Sequence, residues 1–258
     1  WKPKSRIKLS KEENENKIEQ HSKTFAKFIE KMAKLECIDQ FMNTTDMKAS
    51  NFRIYNHKKT VDKQYGAGNI LSLQKAINYI GYNAKITNSA RELSKFDMFF
   101  LPGVGAFPKT INSLKKLNLI DEIKKEIIKK KKILGICLGM QLLCNSSTEI
   151  KITKGLSVID GKVEKLKDVK NIRLPHIGFN TIKKNSESKL LKNIDPESYF
   201  YFNHLYAIKK ISNGSYIFSE YSEKFISIFE NENVFATQFH PEKSQLAGLD
   251  LIKNFIKV

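Results

Sequence analysis

The segment Ile133–Leu143 restricts the possible folds of this chain more than any other stretch of its sequence. The apolar run Ile133–Ile136 leads into a Gly-x-Cys-x-Gly pattern centred on Cys137, and residues compatible with a helix follow. A strand, a tight turn and a helix in this order form a nucleophile elbow, in which the turn residue is strained and flanking glycines relieve crowding. The sequence therefore predicts that Cys137 projects at the carboxyl edge of a parallel sheet, where ligands of α/β proteins bind.

Cys137 is the predicted nucleophile of this elbow. A helix that begins at Leu138 would direct its dipole and its free N–H groups at the sulfur, which favours a thiolate and can stabilise an oxyanion. The alternative is a buried structural cysteine, since free cysteines are often buried. Glycines both before and after Cys137 favour the nucleophile, whereas Cys144, farther along, is expected in the core.

His240 is the predicted base. A thiol nucleophile needs a proton acceptor, usually a histidine that is held by a third group. His240 follows the alternating strand Val234–Gln238, and Glu242 lies shortly beyond it, close enough to orient the imidazole. The sequence therefore predicts a triad of Cys137, His240 and Glu242.

Strands and helices alternate around the elbow segment. A helix is predicted from Ile70 to Ile80 and a second helical region from Ile111 to Ile127. Strands are predicted at 84–87, 98–101, 133–136, 157–163, 181–183, 199–202, 216–218, 226–229 and 234–238, and a final helix at 249–256. This alternation is typical of an α/β fold, so we expect a mostly parallel sheet flanked by helices.

Residues 1–62 differ from the rest and are predicted to form a helical appendage beside a domain at 63–258. The pattern Ser10–Glu13 is typical of a capping box, and one apolar stripe follows on an otherwise charged helix. This helix would either pack on its own domain or dock a partner. Phe52–Tyr55 is the one strand candidate of the stretch that follows it.

Composition argues against several other classes of protein. The longest apolar runs fall well short of the roughly 20 residues that cross a bilayer. Three cysteines without C-x-x-C spacing argue against disulfides and against a thiolate metal site, and they favour the cytoplasm. The net charge of +18 could indicate nucleic-acid binding, but the basic residues are spread along the chain. Neither a nucleic acid nor a membrane is therefore expected as a partner.

Six segments carry a resemblance to a known family. They are Tyr65–Asn69, Leu101–Phe107, Gly135–Gln141, Pro175–Asn180, Tyr201–Tyr206 and Phe239–Ser244. In this order, over residues 64–258, they resemble the class I (triad) glutamine amidotransferases, and within them the glutaminase subunit of imidazole glycerol phosphate synthase. The resemblance implies the flavodoxin-like fold of that class.

The resemblance also implies roles for individual residues. Cys137 would attack the carboxamide of glutamine and form a thioester. His240, oriented by Glu242, would protonate the leaving ammonia and then activate water. The residues expected to hold the oxyanion and bind the glutamine substrate are Gly103, Val104, Leu138, Gln141, Leu205 and Tyr206.

A partner is implied as well. Lys243 and the loop at Asn69 match positions that face a (β/α)₈ cyclase, which uses the ammonia to make imidazole glycerol phosphate in histidine biosynthesis. No cofactor is implied, and His176 and His204 match structural or interface positions rather than catalytic ones. Two alternatives stay open: a paralogue that supplies ammonia for amidation of a surface sugar, and a damaged, non-catalytic binding subunit.

The chain departs from the family pattern at three places. The apolar first strand expected before Tyr65 is absent, because His57–Gln64 is polar. We expect that a central strand is either lost or replaced imperfectly by Phe52–Tyr55. Leu205 stands where the family usually has a small hydroxyl residue, and Asn203 is also atypical. These departures bear on stability, glutamine contacts and coupling to the partner.

Overall fold

The computed structural model describes residues 52–55, 68–183 and 187–258. All of these residues belong to the unit Met47–Val258. The helical appendage predicted for residues 1–62 lies outside the described residues, apart from one strand. The domain boundary expected between residues 62 and 63 stays a prediction.

Helices and strands alternate through the first half of the described chain, and strands dominate the second half. The helices are α1 (Gly68–Tyr79), α2 (Ala90–Leu93), α3 (Phe107–Lys116), α4 (Leu119–Ile128), α5 (Leu138–Leu142) and α6 (Gln245–Lys257). The strands are β1 (Phe52–Tyr55), β2 (Ala84–Thr87), β3 (Met98–Gly103), β4 (Lys132–Cys137), β5 (Cys144–Ser147), β6 (Thr153–Lys154), β7 (Ile159–Lys165), β8 (His176–Thr181), β9 (Tyr199–His204), β10 (Tyr206–Ile211), β11 (Ser215–Glu220), β12 (Lys224–Asn231) and β13 (Val234–Thr237). A short 3₁₀ helix covers Pro241–Lys243.

A seven-stranded sheet forms the centre of the fold, in the order β11-β12-β13-β4-β3-β1-β2. The neighbours from β13 to β2 run parallel, while β11, β12 and β13 are joined in antiparallel pairs. A four-stranded sheet, β10-β7-β5-β6, and the two-stranded sheet β8-β9 complete the described strands. The predicted α/β fold with a mostly parallel sheet is confirmed.

Strand β1 occupies the central position that the sequence leaves in doubt. Phe52–Tyr55 pairs in parallel with Ala84–Thr87 on one side and with Met98–Phe100 on the other, without a break in register. Of the two expected alternatives, the loss of a central strand is therefore wrong, and its replacement by Phe52–Tyr55 is what the structure shows. Parallel pairing uses the N–H and C=O groups of the backbone. The four residues Phe52–Tyr55 can therefore fill the central position, although they come before the polar stretch His57–Gln64 and not after it.

Some of the later strands differ from the sequence prediction. The strand predicted at 181–183 is wrong, since β8 spans His176–Thr181. Strands β5, β6 and β10 have no counterpart among the predicted elements. In β10 two neighbouring residues, Ala207 and Ile208, are both buried, so the strand lacks the alternation on which such a prediction depends.

Adjacent residues of the central strands send their side chains to opposite faces of the sheet. Phe100 and Leu134 belong to a buried cluster that α1 and α6 cover. Phe99 and Ile133 belong to a second buried cluster beneath α3 and α4. Because both faces are covered, the sheet is a rigid base for the residues at its carboxyl edge.

Two further features concern the apolar character of the helices and the basic run of the sequence. None of the described helices is long and apolar enough to span a membrane. The basic run Lys129–Lys132 contacts the carboxylates of Glu126 and Glu232, and Lys132 Nζ donates a hydrogen bond to the backbone carbonyl of Val258. The lysines of this run are therefore tied to neighbouring elements of the domain itself.

The approach of α5 to β3 leaves no room for a side chain at Gly139, where a Cβ atom would overlap the carbonyl oxygen of Leu101. That carbonyl lies in a buried strand, so the sheet would have to distort. We expect Gly139→Ala to lower the free energy of unfolding by about 3 kcal/mol or more, measured by thermal unfolding. The control Lys253→Ala, at an exposed position of α6, should change little. A Gly139→Ala protein as stable as that control would contradict this packing.

Candidate active site

Cys137 lies at the junction of β4 and α5, with φ 54° and ψ −109°. Positive φ is unusual for a residue with a side chain and persists only where the surroundings hold it. Two glycines allow the close packing of this turn. A Cβ atom at Gly135 would lie 2.9 Å from Leu143 Cδ1, and Gly139 packs directly on Leu101. The turn directs Cys137 into a cavity although only 6% of the residue is accessible.

His240 and Glu242 form a buried pair beside this cysteine. His240 follows β13, and its Nδ1 lies 2.9 Å from Glu242 Oε1, with 2% of each side chain accessible. A carboxylate only accepts, so Nδ1 carries the hydrogen and the other ring nitrogen faces Cys137, which contributes a second hydrogen bond. The backbone N–H of His240 donates to Tyr201 O at 2.8 Å, which ties the pair to β9.

The charges around His240 favour its protonated form. Burial alone would lower the pKa of this imidazole, but Cys137 and Glu242 on its two sides outweigh burial and raise the pKa to about 10. Cys144 has no such neighbour and is fully buried in the core. Burial therefore raises the pKa of the Cys144 thiol, which keeps it protonated.

A cavity of about 300 Å³ opens beside Cys137. Its volume is at the lower end of the range for small-molecule sites. Every residue predicted to hold an oxyanion or to bind glutamine lines this cavity, namely Gly103, Val104, Leu138, Gln141, Leu205 and Tyr206. The structure thus brings these residues to one place together with Cys137 and His240, although their roles stay predictions.

Two residues of the site have no counterpart in the sequence prediction. Glu149 lines the cavity, and its Oε2 accepts a hydrogen bond from Phe107 N at 2.7 Å. Gln238 is fully buried, and its Nε2 lies 3.8 Å from Cys137 Sγ. No local pattern distinguishes Glu149 from a surface carboxylate. Gln238 could have been found from its position at the end of β13, but only once β13 is known to lie beside β4.

Lys243, one of the two residues predicted to face a partner, lies beside the site. Lys243 Nζ is 5.6 Å from the centre of the Tyr201 ring. Asn69 lies in the first turn of α1, and its side chain lies outside the described residues. His176 and His204 are buried; His176 stacks on Phe202, while His204 lies edge-on to Phe225 and also lines the cavity. The interface role of Lys243 and Asn69 stays a prediction.

The model of the family called "Glutamine amidotransferase class-I" matches residues 63–258. The chain belongs to the class-I glutamine amidotransferases. The predicted family is therefore confirmed, and with it the prediction that the chain is an enzyme that hydrolyses glutamine.

Three curated relatives of this amidotransferase are named as the same subunit. The "Imidazole glycerol phosphate synthase subunit HisH" of Caldanaerobacter subterraneus is 43% identical over 192 residues, which cover 74% of this chain and 94% of that protein. The "HisH 2" subunit of Methanococcus maripaludis is 42% identical, with 75% of this chain and 96% of that protein covered. The "HisH 1" subunit of Campylobacter jejuni is 40% identical, with 75% of this chain and 97% of that protein covered. These relatives confirm the predicted resemblance to that subunit.

Solved structures show the same fold. A crystal structure of a glutamine amidotransferase has a TM-score of 0.60 at 14% identity, covering 81% of this chain and 98% of that one. The structure of PurLQS from Thermotoga maritima has a TM-score of 0.59 at 15% identity, with the same coverage. At such identities the likeness concerns the fold alone, and it confirms the class I architecture of this amidotransferase.

The two described cysteines differ in accessibility to reagents. Cys137 faces the cavity, whereas Cys144 is fully buried and its thiol is held protonated. In a Cys37→Ser background, we expect iodoacetamide to alkylate Cys137 in the native protein and to leave Cys144 unmodified. Peptide mass spectrometry measures both sites. Alkylation of Cys144 at a comparable rate would contradict the burial of its thiol.

The charge on Glu242 should make stability depend on pH. Because the folded pKa of His240, about 10, exceeds its ordinary value of 6.5, the protonated ring contributes stability that is fully present below pH 6.5 and lost as pH rises through about 10. Glu242→Gln keeps an acceptor for Nδ1 but removes the charge, so we expect a loss of about 2 kcal/mol near neutral pH that shrinks toward high pH. Thermal unfolding across this range measures it.

Asp250→Asn removes a carboxylate at an exposed position of α6 and is the control for this measurement. It should show no comparable trend with pH. A stability loss in Glu242→Gln that stays constant across the range would mean that the carboxylate does not support a protonated His240.

Proposed function

We propose that this amidotransferase hydrolyses L-glutamine to L-glutamate and ammonia with Cys137, His240 and Glu242. It supplies the ammonia to a (β/α)₈ cyclase subunit that makes imidazole glycerol phosphate in histidine biosynthesis. The observation that carries the proposal is the 2.9 Å bond between His240 and Glu242 beside a positive-φ cysteine at the wall of a cavity. The names of relatives that are 40–43% identical support the pathway.

The first half of the reaction forms a thioester. With the proton already on His240, the sulfur of Cys137 attacks the carboxamide carbon of glutamine. The carbonyl electrons move onto oxygen, where backbone N–H groups of Leu138 and of the Gly103–Val104 segment would stabilise the charge. One such donor is worth about 3 kcal/mol. When the C–N bond breaks, His240 gives its proton to the departing nitrogen, so ammonia leaves and a thioester stays.

The second half releases glutamate. His240, now neutral, takes a proton from water as the water oxygen attacks the thioester carbon. The C–S bond then breaks and the sulfur leaves with the electron pair. Glu242 accepts the hydrogen bond from Nδ1 throughout, which keeps the other ring nitrogen directed at the reacting atoms.

Two acceptors in the cavity fit the α-ammonium group of glutamine. The amide nitrogen of Gln141 donates to Tyr206 O at 2.7 Å and to Gln238 Oε1 at 3.1 Å, so both of its hydrogens are used and its oxygen is left for the substrate. Glu149 is the one carboxylate among the described lining residues. We therefore assign the ammonium group to Gln141 Oε1 and Glu149.

The partner is assigned to the face that carries Lys243 and Asn69, in a cytoplasmic heterodimer. Lys243 directly follows Glu242 in the 3₁₀ helix. A partner that contacts Lys243 would also act on the neighbouring Glu242, which orients His240. Partner binding can therefore favour one arrangement of the triad over another.

The experiment is a glutaminase assay with and without the cyclase subunit of imidazole glycerol phosphate synthase from Caldanaerobacter subterraneus. We expect the cyclase to raise turnover, and His240→Asn to lower turnover by roughly 10⁴-fold, because the base is lost. Glu242→Gln should lower it less, since it orients the base. Lys253→Ala, outside the site, should match the unaltered protein.

Three outcomes would overturn all or part of the proposal. Normal turnover in His240→Asn would remove the base from the mechanism. No release of ammonia from glutamine under any condition, by a folded protein, would favour a non-catalytic binding subunit. Turnover that responds to a sugar-modifying enzyme but not to the cyclase would replace the pathway while keeping the chemistry.

A further inference from the structure

A continuous chain of hydrogen bonds leads away from the nucleophile into the core. Gln238 connects Cys137 to Gln141, and Gln141 connects to the backbone carbonyl of Tyr206. Two buried histidines continue the chain on the far side of that carbonyl. The links are Gln238 Nε2 to Cys137 Sγ at 3.8 Å, Gln141 Nε2 to Gln238 Oε1 at 3.1 Å, Gln141 Nε2 to Tyr206 O at 2.7 Å, His204 Nδ1 to Tyr206 O at 3.0 Å, and His176 Nδ1 to His204 Nε2 at 3.0 Å.

The Tyr206 carbonyl sets the direction of every bond in this chain. A carbonyl oxygen only accepts, so Gln141 must turn its NH₂ group toward Tyr206. The second hydrogen of that NH₂ group reaches Gln238, which must therefore present its oxygen to Gln141. The NH₂ group of Gln238 is then the part of the side chain that faces Cys137. The acceptor Tyr206 O therefore determines, through Gln141 and Gln238, that an N–H donor faces the Cys137 sulfur.

The same carbonyl also determines which ring nitrogens of His204 and His176 carry hydrogen. His204 must carry its hydrogen on Nδ1, which leaves Nε2 as an acceptor for His176. Both rings are then neutral. Burial lowers the pKa of His204 to about 3 and that of His176 to about 4, which agrees with this arrangement. Neither ring takes up a second proton near neutral pH, so the direction of the chain persists.

Two groups contact the Cys137 sulfur, and one favours its protonated form while the other favours its deprotonated form. The thiol can donate to Asn203 O at 3.8 Å, a contact that exists only while the sulfur is protonated. Gln238 Nε2, also at 3.8 Å, is a donor and interacts best with a sulfur that has given its proton to His240. Gln238 is fully buried, so water does not weaken this interaction.

We propose that Gln238 is a further catalytic residue, whose amide N–H stabilises negative charge on the Cys137 sulfur, and that the Tyr206 carbonyl, held by His204, directs that N–H. The charge exists at two points in the proposed reaction. It is present before attack, while His240 holds the proton, and it forms again when the C–S bond of the thioester breaks and the sulfur leaves with the electron pair. The catalytic part of this inference rests on the proposed function.

Alkylation of Cys137 tests the contact without glutamine or a partner. In the Cys37→Ser background, the rate with iodoacetamide at neutral pH reports how readily the sulfur attacks a carbon. Gln238→Met keeps the length of the side chain and removes the donor. We expect its rate to fall about tenfold, as the loss of one hydrogen bond to a charged group would cause.

Gln74→Met is the matched control. Gln74 Nε2 also donates to a partly buried acceptor, Ala84 O at 2.6 Å, but it links α1 to β2 at the other end of the sheet. This variant should lose a hydrogen bond and keep the alkylation rate of Cys137. Thermal unfolding shows that each variant is folded. A folded Gln238→Met protein that is alkylated as fast as the control would overturn the proposal.

The role of the Tyr206 carbonyl is tested through His204. His204→Leu removes the donor to that carbonyl, whereas His204→Asn offers an amide N–H near the position of Nδ1. We expect a slower alkylation rate in the leucine variant and recovery in the asparagine variant. Equal rates in the two variants would reduce His204 to a packing role and overturn that part of the proposal.

Turnover of glutamine separates this inference from the proposed function. We expect Gln238→Met to lower kcat about tenfold or more with little change in KM, because Gln238 contacts the nucleophile and is not in the cavity lining. A tenfold loss of alkylation without any glutaminase activity in the parent protein would sink the proposed function and leave the N–H···S contact intact. Normal glutaminase kinetics in Gln238→Met would sink the catalytic role instead.

Discussion

The backbone of Cys137 has a conformation that an isolated residue with a side chain would avoid, and the site is arranged around the groups that hold it there. Strand β4 lies between β13 and β3 and is buried on both faces, so the end of β4 cannot relax. Gly103 pairs with Cys137 in register, and Gly139 packs on Leu101. The strain is therefore opposed by the packing of the whole sheet rather than by one contact.

The order of the strands decides which residues meet this cysteine. Parallel neighbours end at the same edge, so β3 brings Gly103 there and β13 leads directly into Gln238 and His240. The separate strand β9 supplies the backbone carbonyl that fixes His240 and ends at His204, beside the cavity. Residues from four distant parts of the chain thus share one small volume, because each lies at or just beyond the carboxyl end of a strand.

Local patterns identify residues whose function is visible in their immediate neighbours. The glycines around Cys137 and the spacing of His240 and Glu242 are such patterns, and so are the apolar repeats of α1, α3 and α6. Gln238 is different, because its relation to Cys137 depends on Gln141 and Tyr206, which no spacing connects. The sequence identifies β1 as a strand candidate but not its central position, because that position follows from the gap between β2 and β3 and not from its own four residues.

Two histidines that line the same cavity have opposite electrostatic surroundings, and that contrast would confine proton transfer to one of them. Between Cys137 and Glu242, His240 is driven toward the charged form in spite of complete burial. His204 lies among aromatic rings and next to His176, and the charge of His240 further opposes a second proton on it. A proton that enters the cavity is therefore held at one imidazole. Neutral His204 donates to the Tyr206 carbonyl, which in the proposed arrangement directs the Gln238 amide toward the sulfur.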